Sequence, residues 1–134
     1  IFQGASKTLQ NVLKVVCEVE FIPIYENQPL FGDICNYLIK YNLMFNKFLG
    51  LAGRALKPIS LNHNVPSQHI WTDAVFIHHI QKIHKLNDEQ LIKLSLLACV
   101  YNTLDLTFFC LSEYDKRYST SIAKEWMDEI ISKK

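Results

Sequence analysis

The run VLKVVCEVEFIPI (residues 12–24) limits the fold more than any other stretch of this chain. Its valines and isoleucines are stiff at χ1 and favour extended backbone, and Pro23 with the polar ENQP that follows brings the run to a stop. Side chains alternate along a strand, so Val15, Cys17, Val19 and Phe21 fill one face, and Val16, Glu18, Glu20 and Ile22 the other. A strand apolar on nearly both faces predicts an interior member of a sheet covered on both sides. Glu18 and Glu20 break that pattern. Two residues apart, they point the same way at a spacing of roughly 6–7 Å, and burying both ionised without partners is costly. Either the strand lies near an edge and its glutamates meet water and lysines, or they border a cation or ligand near the strand's carboxyl end, where open α/β sheets bind ligands.

Downstream, PLFGDICNYLIKYN reads as a helix. Pro29 suits a first turn, and Leu30, Ile34, Tyr37, Leu38 and Tyr41 recur at helical spacing. Gly32 weakens that turn, which moves the expected start toward Asp33, and Asn42 is the expected stop. LMFNKFLGLAGRALKPI reads as a second strand, bent or bulged at Gly50 and Gly53, and NHNVPS as a turn-rich loop. QHIWTDAVFIHHI is a third strand, joined to the second without a helix and so expected antiparallel to it. From Asn87 the period becomes helical. NDEQLIKLSLLACVYN carries Leu91, Leu94, Ala98 and Tyr101 on one stripe, LDLTFFCLSEYDKR follows, and STSIAKEWMDEIISKK aligns Ile122, Trp126 and Ile130. The expectation is a three-stranded α/β piece at residues 1–86, with a helical extension at 87–134 packed on it.

Composition excludes several roles. With 134 residues, 49% of them hydrophobic, and a net charge of +1, the chain suits a domain with a real core and lacks the clustered cations that bind nucleic acid. No apolar run reaches the roughly 20 residues of a membrane-spanning helix, and the first residues lack the layout of a secretory signal. Cys17, Cys35, Cys99 and Cys110 are widely spaced in apolar surroundings. They read as buried free thiols of a reducing, cytoplasmic compartment, not as a metal site. His78 and His79 point to opposite faces of a strand, and His63, His69 and His84 read as loop or surface residues. Asp73, in IWTDAVF, is either a buried acceptor of backbone hydrogen bonds or a functional acid. No glycine-rich dinucleotide fingerprint, phosphate loop or nucleophile elbow is present.

Two blocks, EVEFIPIYENQPLFGDI (residues 18–34) and QHIWTDAVFIHHI (residues 68–80), resemble the C-terminal part of FkbM-type methyltransferases. That family has an EVEF-P-Y…QP-F-D strand–turn–helix before a W-DAVF strand. The stretches MFNKFLGLAGRALKP and LNDEQLIKLSLLACVYNTLDLTFFCL are similar to it as well. The opening IFQGASKTLQ resembles the tail of the helix after the family's acidic D-EG strand, so the resemblance covers nearly the whole chain. It implies the later half of a Rossmann-like sheet, a parallel strand and then an antiparallel pair. The strands near Val15, Met44 and Ile70 become the fifth, the sixth and an antiparallel seventh. It further implies S-adenosylmethionine-dependent methylation of a hydroxyl on a small-molecule acceptor, a sugar or secondary metabolite.

By the same resemblance Glu20 and Glu18 border the acceptor pocket, Glu20 as the base or hydroxyl-orienting acceptor. Tyr25, Gln28 and Asp73 contact the acceptor. The glycine-rich loop, the ribose-holding acid and the D-EG strand fall upstream of residue 1 in the family. The chain alone is therefore expected to be an inactive fragment that does not bind the cofactor, and its half-sheet is expected to self-associate through an exposed edge. The competing expectation is a non-catalytic α/β module whose C-terminal helices bind another protein, with Trp126 as anchor.

Overall fold

The computed structural model describes residues 2–57 and 67–133. These residues form an α/β arrangement of helices and an antiparallel sheet, in two compact units, Ile1–His78 and His79–Lys134.

In the first unit a short 3-10 turn at Phe2–Ala5 runs into helix α1 (Ser6–Leu9), and strand β1 (Lys14–Glu20) follows. Helix α2 (Phe31–Leu38) leads to β2 (Leu43–Phe48), the short β3 (Ala52–Arg54) and the long β4 (Gln68–His78). β4 lies between β1 and β2, antiparallel to both, and also pairs with β3. β1 and β2 therefore run in the same direction, with α2 supplying the crossover that such a pair needs. The expected antiparallel relation of the Met44 and Ile70 strands is observed.

The interior position expected for residues 12–24 belongs instead to β4. Thr72 and Ala74 through Ile77 are all buried there, whereas in β1 only Val19 is fully buried and Val16 is 38% exposed. Among the described residues, β1 has a neighbour on one side only. The alternation itself holds. Val15, Cys17 and Val19 pack on the core side with Leu9, Leu38, Leu43, Ala74 and Phe76, while Val16 and Glu18 are exposed on the other.

Local chemistry explains the remaining differences. α2 starts at Phe31, before the expected Asp33, because the Asp33 carboxylate (Oδ2) accepts from the Leu30 amide at 2.9 Å and holds the first turn despite Gly32. It ends through a 3-10 turn on Asn42, whose φ of 60° is the left-handed stop. The expected second strand is broken in two. Gly50 has a φ of 152°, a conformation L side chains rarely adopt, and its carbonyl accepts the buried Thr72 hydroxyl, so the chain turns there before β3. A bulge at Asn46, between Phe45 and Lys47, shifts the β2–β4 register as well. The NHNVPS loop, with His63, lies outside the described residues except for Ser67.

The second unit opens with a 3-10 segment at Ile80–Lys85, so these residues belong with the helices and not with the sheet. Three helices follow: α3 (Asp88–Val100), α4 (Leu104–Tyr118) and α5 (Ile122–Ser132). Asn87 caps α3 reciprocally with Gln90, at 2.8 and 3.0 Å. Leu91, Leu94 and Ala98 are buried on α3 as the stripe requires, and the Thr107 hydroxyl of α4 donates to the Ser95 carbonyl of α3 at 3.1 Å. On α5 the stripe is offset from the expected one. Ala123 is buried, Trp126 and Ile130 are half-buried, and Ile122 is exposed.

Asp115 of α4 caps α5 from outside that helix, accepting from the amides of Ile122 at 3.1 Å and Ala123 at 2.8 Å and from the Thr120 hydroxyl. Burial pushes its pKa up, but the bonds from Thr120, Ala123 and Ile122 outweigh that and hold it below the ordinary 3.8. A depressed folded value means that the cap contributes fully above the ordinary value and is lost as pH falls through the folded one. Asp115→Ala should cost about 1 kcal/mol at neutral pH. In thermal melts across a pH series, the gap between wild type and variant should close in strong acid; a gap independent of pH would show that the carboxylate charge is not what caps α5.

Candidate functional site

Along the outer side of β1 runs a groove of 810 Å³ lined by Glu18, Glu20, Gln28, Phe2, Ile34 and Tyr37, among others. β1 supplies the acids, the β1–α2 connection supplies Gln28, and α2 supplies an apolar wall. The two glutamates share a face because they are two residues apart on regular strand, and neither has a lysine partner among the ion pairs of the described residues. Glu18 is exposed and Glu20 half-buried. Burial, and then the neighbouring Glu18 carboxylate, raise the Glu20 pKa above the ordinary 4.5, with its own backbone amide pulling the other way. That is the direction a proton acceptor needs.

The other expected acceptor residues divide. Gln28 lines the groove, but its Oε1 accepts from the amides of Ile24 at 2.9 Å and Tyr25 at 3.1 Å. That oxygen shapes the turn, and only the amide nitrogen is left for a ligand. Tyr25 is 72% exposed and is not in the groove wall. Asp73 is exposed on the sheet surface, not buried as its apolar neighbours in sequence suggested. It stands directly across from Glu18 in the β1–β4 register, and Trp71 stands across from Glu20. With Trp71 and the Leu49–Ala52 turn, Asp73 lines a separate recess of 260 Å³. The reason is the β4 alternation: Thr72 and Ala74 take the core side, which leaves Asp73 on the open one.

Tyr37, on the apolar stripe of α2 by its spacing, also lines the groove. Its hydroxyl donates to the Phe2 carbonyl at 3.2 Å and lies 3.2 Å from the Tyr41 hydroxyl, and that contact raises its pKa. The signal was present. A tyrosine on an apolar helical stripe needs somewhere wet or polar for its oxygen.

All four cysteines are free, with Cys17 and Cys35 half-buried, Cys110 buried and Cys99 exposed, the last contrary to expectation. Burial, then Asp73, Cys35 and Glu20, push the Cys17 thiol up to about 11, so it is a poor nucleophile. Among the described residues no group of three His, Cys, Asp or Glu side chains is placed to hold a metal, and no helix is long and apolar enough to cross a membrane.

Neither strand-to-helix connection, residues 21–30 or 79–87, contains a glycine, and Gly50 and Gly53 lie between and within strands. The chain matches no protein-family model, no curated protein and no solved structure.

Proposed function

We propose that this chain is the acceptor-side, later half of a Rossmann-like methyltransferase of the FkbM type, in which Glu20 takes the proton from a hydroxyl of a sugar or secondary metabolite. One observation carries the reading: β1 and β2 run in the same direction through α2, and β4 is antiparallel to both. This supports their assignment as the fifth, sixth and antiparallel seventh strands. The unpaired side of β1 is where the preceding strands of such a sheet would continue. Glu20, with its raised pKa, lies at the carboxyl end of β1 beside an apolar wall that suits a ring. Burial, and then Glu18, hold the Glu20 pKa up, and the amide nitrogen of Gln28 is a donor in the same groove for a second acceptor oxygen. The four free thiols support work in the reducing cytoplasm.

S-adenosylmethionine is held, in this reading, by residues outside the 134. Calorimetric titration should give no heat with this chain and micromolar binding with a chain extended on its N-terminal side. Binding by the 134 residues alone, or none by the extended chain, overturns the reading.

A further inference from the structure

The β1–β4 register shows which backbone groups of β1 point outward. The His78 amide donates to the Leu13 carbonyl and the Phe21 amide to the Ile70 carbonyl, both at 2.8 Å. Hydrogen-bonded residues alternate along an antiparallel ladder. The odd-numbered residues between 13 and 21 therefore turn their backbone groups to β4, and Lys14, Val16, Glu18 and Glu20 turn theirs away from it. On that outer side no described strand pairs, and the groove lies open beside it.

We infer that a second copy of this chain occupies the outer edge, β1 pairing antiparallel with β1 of the partner about a two-fold axis through Cys17. In the 134-residue chain only this register overlaps all seven strand residues, Lys14–Glu20, while keeping the outward-pointing residues in hydrogen-bonded pairs. It sets Lys14 of each copy opposite Glu20 of the other, twice by symmetry, a charge match that one strand carries against itself. Val16 faces Glu18, Val15 faces Val19, and Cys17 faces Cys17 across the axis. The apolar face of β1 thus continues into the partner strand. A slip to an axis through Val16 leaves Glu20 outside the strand pairing. A slip to an axis through Glu18 sets two carboxylates against each other.

The inference does not depend on the methyltransferase reading. In a longer protein of that kind, the preceding strand takes the same edge and dimerisation is lost.

The test is sedimentation equilibrium of the 134-residue chain over a concentration series. Wild type should show a concentration-dependent dimer. Lys14→Glu and Glu20→Lys should each raise the dissociation constant about tenfold or more, and the double variant should restore it. Lys14 also interacts within its own chain and has Lys47 as a like-charged neighbour, so restoration in the double variant is the readout that separates pairing across the axis from a loss of fold. Val16→Pro removes one outward amide, leaves the β4 ladder intact and should abolish the dimer. Monomer at every concentration, a dimer indifferent to these changes, or rescue of Lys14→Glu by Glu18→Lys instead of Glu20→Lys overturns the inference. A longer chain that still dimerises with the same Lys14 sensitivity supports it and overturns the functional reading above.

Discussion

Replacing Phe76 with alanine is expected to destabilise the first unit by about 3–5 kcal/mol, the usual cost of emptying a fully buried aromatic site. Phe76 has no solvent exposure and belongs to the core cluster with Leu38, Leu43 and Val19. Its ring lies 6.0 Å from Phe45 and 6.5 Å from Phe31, and Phe45 in turn lies 4.6 Å from Phe48. These rings come from α2, β2 and β4, so no single element can close the space left behind. The loss is that of the transferred surface plus the cavity. Denaturant titration followed by the aromatic signals should show a lower midpoint at unchanged slope. A cost below about 1 kcal/mol would mean that the site relaxes, and that the aromatic cluster is not a tightly packed core.

The second large effect belongs to the proposed methyltransferase reading and is measured on a chain extended on its N-terminal side. Glu20→Gln keeps shape and one acceptor but cannot take a proton, and turnover should fall at least about tenfold with cofactor affinity unchanged. The pH profile makes the test sharper. Burial and Glu18 place the Glu20 pKa above the ordinary 4.5, so the acid limb of kcat/KM should lie above that value. Activity is present above the raised pKa and falls as pH drops through it. Glu18→Gln removes the like charge and should move the limb to lower pH without abolishing turnover. Unchanged turnover in Glu20→Gln would leave Glu20 with a structural role only.

Much of the local architecture could be read from residues alone. The β-branched run of residues 12–24, the Asn42 stop and the capped start of α3 at Asn87 each follow from interactions within a few residues. The face alternation of β1 did too, and with it the pairing of Glu18 and Glu20. Where several elements compete for one place, local sequence does not decide. Whether the strand of residues 12–24 or that of residues 68–78 is central depends on which finds neighbours on both sides, and hydrophobicity alone favoured the wrong one. Asp73 looked buried because its neighbours are, yet a period of two sends it to the opposite face from Thr72 and Ala74.

The candidate site shows the same division. Spacing put Glu18 and Glu20 on one face and the resemblance singled out Glu20, but Tyr37 lines the groove only because α2 is set beside β1, and Tyr25 is exposed outside it. Sequence by itself determined most of the elements, the face alternation of β1 and the placing of two acids on one side of that strand, since backbone propensity and side-chain period act over a few residues. Strand order, the open edge of β1 and the residues that gather along it were decided only by tertiary structure, because those depend on pairings between segments that are distant in the chain and must share a single core.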